Sequence, residues 1–379
     1  MSIQPVKTAI IGCGNISSIY IENAQKWDVL DLVACANRTL PRAQEQAEKF
    51  GVPHAIEIDE LMADPEIELV INLTTPDVHA EIGLAALRAG KSVYNEKPLA
   101  ISRADARLML DEANARDLRL GCAPDTFLGG GLQTCRQLID AGEIGTPVAA
   151  NASMYILGPE AWHPDPAFLY QVGAGPLFDI GPYYLTALIS MLGPVCRVTG
   201  SACTTYAERT IGSGPKQGQT FAVETPTHIV SLLDFADGPV ATLTTSFDVS
   251  VSAGTAINLY DVGGALLEIQ GTKGTLSLPD PNMFGGPVRL RRLGESDWRE
   301  IPISRAHTDN SRALGVADMA YAIRIGRPHR ANGEMAFHVL DVMHSVLEAS
   351  ERGKHIEPGS TCERPAPLPS SLLEYQLDK

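Results

Sequence analysis

The sequence predicts an α/β chain: a doubly wound parallel sheet over residues 1–123, then from residue 124 an α+β domain with a large, open, mostly antiparallel sheet. Three observations carry this expectation. Short apolar runs alternate with helical patterns up to about residue 122; beyond it, strand-like runs follow one another across turn residues; and 379 residues exceed what one ordinary core accommodates.

In the first domain, residues 7–11, 30–36, 68–74, 91–96 and 119–123 read as strands, and their alternation with helices implies crossovers and parallel pairing. Ile16, Ile19, Tyr20, Ala24 and Trp27 recur at helical spacing. Ser102 with Asp105 three residues on is a capping box, and Gly51 and Gly90 stand where helix C-caps fall. In the second domain a helix over 128–141 ends at Gly142, a strand crosses 148–156, and a loop rich in Pro, Gly and aromatic residues follows. Between 198 and 301 strand-like runs such as 227–235 and 240–247 are separated by turns at Asp237-Gly238 and Gly263-Gly264. Helical patterns at 313–325 and 335–352 come next, and residues 360–379 read as an extended, Pro-rich tail.

Bulk properties remove several function classes. A net charge of −15 opposes phosphate-backbone binding, so no nucleic-acid partner is expected. No apolar run approaches the roughly 20 residues that span a bilayer, so no membrane association is expected. The stretch Thr8-Ala9-Ile10-Ile11 runs straight into Gly12 and reads as a buried strand rather than a signal peptide. The seven cysteines form neither a disulfide framework nor a metal-type spacing, which points to reduced thiols, a cytoplasmic location and no metal site.

Gly12-Cys13-Gly14-Asn15-Ile16-Ser17 joins the first strand to the first helix, where a dinucleotide's pyrophosphate meets main-chain N–H groups and the positive helix end. Strand, helix and N-terminal position agree, so dinucleotide binding is favoured over a merely tight turn. At the end of the second strand, where an acidic residue would favour NAD, the chain reads Asn37-Arg38. Asn removes a charge that would repel a 2′-phosphate and Arg38 can pair with one, so NADP is the expected coenzyme, with NAD the alternative and a solvated Arg38 the bland reading. Thr74-Thr75-Pro76 ends another strand at the same edge, and His79, in the next helix's first turn, is expected to cap or orient.

Hydride transfer to or from an alcohol needs a group that exchanges the hydroxyl proton. Lys97, at the end of the strand over 91–96 in Glu96-Lys97-Pro98, is a candidate, with a cis bond to Pro98 allowed; a snorkelling surface lysine is the competing reading. A helix beginning near Asp179 would set Asp179 and Tyr183 at i and i+4 on one face, with Pro182 tolerated near its start. An ammonium nearby favours an ionised phenol, so Lys97 would bring Tyr183 toward a useful acid/base range while Asp179 orients. Asp179 as a helix cap and Tyr183 or Tyr184 as core aromatics remain open.

These residues together resemble the Gfo/Idh/MocA oxidoreductases, the group that includes glucose–fructose oxidoreductase and inositol dehydrogenases. The resemblance spans nearly the whole chain: the Gly12/Gly14 turn, Thr74-Thr75-Pro76 to His79, Asn95-Glu96-Lys97-Pro98-Leu99, the Gly-rich entry to Asp179-x-Gly181-x-Tyr183, and residues 312–326. It implies a Rossmann-type dinucleotide-binding domain, a catalytic Lys97, and an Asp179 with an acid/base at 183. Position 183 is Tyr where most members carry His; members similar to glucose–fructose oxidoreductase and dimeric dihydrodiol dehydrogenase use Tyr, which shifts oxidation toward alkaline pH. Pro124-Asp125-Thr126-Phe127 stands where many members carry an Arg-containing substrate stretch, so Asp125 is a substrate candidate and the substrate is not carried over. Trp162 and His163, in a loop before the catalytic segment, offer a sugar ring an apolar face and a polar contact, with loop packing as the equal competitor. The resemblance implies a homodimer or homotetramer through the second sheet. The leading expectation is an NAD(P)-dependent dehydrogenase or reductase of a sugar, polyol or related cyclic alcohol; the rivals are an NAD-dependent glycosidase and a non-catalytic ligand sensor.

Overall fold

The structure, a computed structural model, describes residues 3–249 and 267–378. The turn expected at Gly263-Gly264 lies outside the described residues. In chain order the first half holds β1 (Val6–Ile11), α1 (Ser17–Ala24), β2 (Leu30–Ala36), α2 (Leu40–Phe50), β3 (His54–Ile56), α3 (Ile58–Ala63), β4 (Leu69–Asn72), α4 (His79–Arg88), β5 (Ser92–Asn95), α5 (Arg103–Ala115) and β6 (Leu120–Cys122). Then come α6 (Gly130–Asp140), β7 (Pro147–Tyr155), α7 (Gly175–Asp179), α8 (Gly181–Leu192), β8 (Val195–Cys203), β9 (Glu208–Thr210), β10 (Thr220–Ala222), β11 (His228–Phe235) and β12 (Val240–Ser246). The chain finishes with β13 (Leu267–Gly271), β14 (Gly274–Ser277), β15 (Val288–Arg292), β16 (Arg299–Ile301), α9 (Leu314–Ile325) and α10 (Gly333–Arg352).

Two compact units result: Met1–Gln133 with Ser304–Phe337 and Pro365–Lys379, and Thr134–Ile303 with His338–Arg364. The chain thus returns to the first unit after residue 303, so these units are not two contiguous blocks divided at 123/124. Among the described residues, no helix is long and apolar enough to cross a membrane.

The first unit is built on a six-stranded sheet of order β3-β2-β1-β4-β5-β6 with every pair parallel. Ile10, Ile11, Val70, Ile71 and Val93 have no exposed surface, as expected for strands covered on both faces. β1 lies between β2 and β4, so the strand order reverses beside it, and ligands of such sheets gather at the carboxyl ends of strands at that point. The capping box at α5 forms as expected: Ser102 Oγ accepts from the Asp105 N–H at 3.1 Å and donates to Asp105 Oδ2 at 2.7 Å. Gly51 and Gly90, at φ +67° and +79°, end their helices. The sequence reading lacked β3, whose three residues are too few to show a period.

The second unit holds an eight-stranded sheet of order β16-β15-β14-β13-β7-β12-β11-β8, in which only β7 and β12 run parallel. α10 packs on its edge: Ser350 Oγ accepts from the Ala202 N–H at 2.9 Å, and a Cβ on Gly200 would meet Val346 at 2.8 Å. All twelve residues of α8 are buried. Val230, Leu232 and Val240, neighbours by register on one face of the sheet, are each more than 40% exposed. A separate two-stranded ribbon pairs β9 with β10.

One expectation is corrected here. No helix begins at Asp179: α7 ends there, Ile180 intervenes, and α8 starts at Gly181. Pro182 has no N–H for the Phe178 carbonyl and its ring would clash with it, so the first helix cannot continue past Ile180. Ile180 keeps a right-handed helical backbone (φ −109°, ψ −29°) and Pro182 stands in the first turn of α8.

Candidate functional site

At the carboxyl end of β1, Gly12 has φ +105° and donates to the Ala36 carbonyl at 2.9 Å. A Cβ there would lie 2.6 Å from the Leu73 main chain and 2.8 Å from the Thr74 nitrogen, so only glycine lets β1 and β4 exit this closely. Gly14 has no heavy atom within 4 Å of its Cβ position. Beside it, Asn15 is exposed and Ile16, half-buried, caps α1 without a side-chain hydrogen bond. An open side on Gly14 next to an uncapped helix start fits a diphosphate, which main-chain N–H groups and the helix dipole favour. The buried Ser17, standing where a third glycine is common, donates to the Gly14 carbonyl at 2.6 Å and accepts from Gln46 at 2.8 Å, so it closes the turn instead of filling it.

Asn37 Oδ1 accepts from the Cys13 N–H at 3.2 Å and its amide donates to Thr39 Oγ1 at 3.3 Å, which ties the end of β2 to the glycine turn. Arg42 Nε donates to the Cys13 carbonyl at 2.9 Å. Arg38 is exposed at the same edge.

β4 and β5 end in a register pair of asparagines, Asn72 and Asn95, both fully buried. Asn72 donates to Asn95 Oδ1 at 3.0 Å and to the His79 carbonyl at 3.1 Å, and its own Oδ1 accepts from Thr74 Oγ1 at 2.7 Å. Thr75 and Pro76 lead into a short 3-10 turn, Pro76–Val78, before α4. His79 is buried, with Nδ1 2.7 Å from the Pro98 carbonyl oxygen and Nε2 3.0 Å from that of Thr74. Burial lowers its pKa while the two main-chain carbonyls oppose that shift, and the ring lies between the Pro98 and Thr74 segments. Lys97–Pro98 is cis, as is Ala123–Pro124. Lys97 and Glu96 are half-buried; Glu96 accepts the Tyr20 hydroxyl at 2.7 Å and the Lys97 N–H at 3.0 Å.

Asp125, also in the first unit, is 1% exposed and accepts from the Gly315 N–H at 2.9 Å, so it anchors the start of α9. Burial pushes its carboxyl up to about 6.

In the second unit Asp179 is half-buried, and Tyr183 is 7% exposed with its N–H on the Ile180 carbonyl at 3.1 Å. Tyr184 is buried in α8. Trp162 is 64% exposed and meets His163 edge to face; His163 in turn meets Phe168 and accepts the Asp165 N–H at 3.0 Å. Their loop is anchored from below by Glu160, which accepts from Arg209 at 2.6 Å and from Tyr170.

Two family models match this chain. The model of the oxidoreductase family with an NAD-binding Rossmann fold matches residues 6–123, and that of the corresponding C-terminal domain matches 132–277. The chain belongs to the Gfo/Idh/MocA family. A relative within this oxidoreductase group, myo-inositol 2-dehydrogenase of Thermotoga maritima, is 29% identical over 38% of this chain and 43% of its own. The 1,5-anhydro-D-fructose reductase of Ensifer adhaerens is 29% identical over 45% and 52%. The chain thus spans about half the length of the curated relatives it matches. Levoglucosan dehydrogenase in its apo form superposes with a TM-score of 0.80 at 19% identity, covering 95% of this chain and all of that one, which shows the shared fold.

Within the Gfo/Idh/MocA chain, the first unit gathers Gly12, Gly14, Asn37, Thr74, His79, Glu96 and Lys97 along the carboxyl edge of its parallel sheet, and the second holds Asp179, Tyr183, Trp162 and His163. Sequence reasoning missed Tyr20, Arg42, Asn72 and Asn95. The asparagines carried a signal, an amide closing each of two buried strand runs; Tyr20 and Arg42 act through contacts that no local pattern reveals.

Proposed function

We propose that this chain is an NAD(P)-dependent dehydrogenase or reductase of a sugar, polyol or related cyclic alcohol, with NADP preferred. The observation that carries the reading is the sheet edge at β1, β4 and β5. An uncapped helix start faces open space at Gly14 there, and β5 leads into a Glu96-Lys97-Pro98 run held by part-buried hydrogen bonds. Family membership supports it, as do the relatives named for inositol and anhydrofructose and the levoglucosan dehydrogenase solved with NADH and levoglucosan. The exposed Arg38 beside an uncharged Asn37 supports NADP.

The nicotinamide, when bound, supplies the hydride acceptor or donor. Gly12, Gly14 and the start of α1 would hold the coenzyme's diphosphate, Asn37 and Arg38 would hold its adenosine ribose end, and the Thr74 to Pro76 segment would contact it through main-chain groups. Tyr183 takes the hydroxyl proton in oxidation and returns it in reduction. Lys97 of the first unit and Asp179 of the second are the further residues proposed for this chemistry, and a phenol in the acid/base role favours oxidation toward alkaline pH. Trp162 offers a flat apolar face to the sugar ring and His163 a polar contact. The exposed Val230, Leu232 and Val240 face supports assembly as a homodimer or homotetramer.

The test is a panel of sugars and polyols with NADP and NAD, followed at the reduced-nicotinamide absorbance band. Tyr183→Phe should lower turnover about a hundredfold to ten-thousandfold with coenzyme affinity retained. Unchanged turnover would remove Tyr183 from the mechanism.

A further inference from the structure

Helix α1 makes two connections. Its start faces the open side of Gly14, and one turn in, the fully buried Tyr20 sends its hydroxyl to Glu96 Oε1 at 2.7 Å. The other carboxylate oxygen, Oε2, accepts the main-chain N–H of Lys97 at 3.0 Å. The Glu96 N–H donates to the Asn72 carbonyl at 2.8 Å, so the main chain of Glu96 is also fixed.

We propose that Tyr20 is a positioning residue for Lys97: through Glu96 it holds the Lys97 main chain and ties it to the helix that receives the coenzyme diphosphate. The inference rests on the reading of Lys97 as catalytic given above. A carboxylate with a single main-chain donor turns about its side-chain torsions. A second, buried, charge-assisted donor from another element fixes both oxygens and strengthens each bond in the low local dielectric. Burial and the adjacent Glu96 hold the Tyr20 hydroxyl well above the ordinary phenol range, so it stays a donor and does not compete with Tyr183 for the substrate proton. Two other polar groups lie nearby, and neither replaces it. The buried Tyr94 hydroxyl has no hydrogen-bond partner among the described residues, and Asp125 is engaged with the Gly315 N–H.

The experiment uses full-length Tyr20→Phe, Glu96→Gln and the double variant. Lys97 is observed in the coenzyme-free protein by reductive 13C-methylation and NMR, its signal assigned by its loss in Lys97→Met. NADPH affinity and melting temperature are measured beside it, with steady-state rates on myo-inositol, levoglucosan and 1,5-anhydro-D-fructose as probes. Tyr20→Phe should move the Lys97 resonance and its titration and lower kcat roughly tenfold to a hundredfold, with KM and the NADPH Kd within about twofold. The double variant should be no slower than the slower single one, because both break the same link. An unmoved Lys97 resonance overturns the proposal, as does a loss of NADPH affinity and melting temperature in step with kcat, which would make Tyr20 a packing residue. If no probe turns over, the proposed function fails on that arm while the resonance still decides the role of Tyr20.

Discussion

Alanine at Gly12 and at Gly14 should fail for different reasons. At Gly12 a Cβ would stand 2.6 Å from the Leu73 carbonyl carbon and oxygen, where ordinary contact begins at 3.4 Å, so the turn or the end of β4 must move by about 0.8 Å. The atoms in the way are main chain and cannot rotate aside, and φ is +105°, outside the range that L side chains adopt readily. Strain of this kind is worth about 1–3 kcal/mol, and in a domain of this size each kcal/mol lowers the melting temperature by about 2–4 °C. Gly14→Ala meets nothing within 4 Å, so the fold should melt at the native temperature. If the open side of Gly14 is where the diphosphate lies, the added methyl should weaken NADPH binding at least tenfold all the same, since that is the close approach for which the second glycine of such turns is used. Differential scanning fluorimetry with and without NADPH, plus a fluorescence titration of each variant, separates the two effects. A Gly14→Ala protein that binds NADPH normally would refute the placement of the diphosphate. A Gly12→Ala protein with native melting temperature would refute the steric argument.

Arg38→Ala should cut kcat/KM with NADP by about tenfold to a hundredfold, the worth of a charge-assisted hydrogen bond, and change NAD kinetics little; equal losses with both coenzymes would count against a phosphate contact. Asp125 should make stability fall as pH rises. Its carboxyl, ordinarily 3.8, is raised to about 6 mainly by burial, so the folded state holds the proton more tightly than the unfolded chain; this contribution is full below pH 3.8 and lost as pH passes about 6. Asp125→Asn keeps an acceptor for the Gly315 N–H without the titration, so native melting temperature relative to the variant should drop between pH 4 and pH 7, and a constant difference would contradict the assignment.

The first sheet was legible because its strands are buried on both faces and read as apolar runs separated by helical periods; β1, β2, β4, β5 and β6 fall within two residues of expectation at either end. The glycine turn was legible because backbone geometry at Gly12 demands glycine. The break at Ile180 was missed because the i, i+4 spacing of Asp179 and Tyr183 looks the same whether one helix or two carry it, and only the proline's missing N–H decides. The return of the chain to the first unit was not legible, because long-range polar contacts hold it. Arg324 pairs with Glu68, and Arg330 bridges the buried Asp318 to Asp378 at 2.6 and 2.7 Å. Nothing in a run such as 327–330 reveals that its partners lie 12 and 48 residues away.

The paired asparagines locate the site by an argument independent of family. Every residue of β4 and β5 is buried, and apolar residues would be the easier choice throughout; instead the final position of each strand, Asn72 and Asn95, is an amide with no exposed surface. A buried amide is unfavourable unless its bonds are made, and these make them: to each other, to the His79 and Leu99 carbonyls and to Thr74. Such a network adds little net stability over a packed apolar pair, but it fixes the directions of the two loops that leave the strands, Thr74-Thr75-Pro76 and Glu96-Lys97-Pro98. A protein spends polar burial in this way where loop geometry matters more than core stability, and residues that break the local apolar rule are therefore markers of function. His79, set between the Pro98 and Thr74 carbonyls, belongs to the same frame, which ties together the segments that leave β4 and β5.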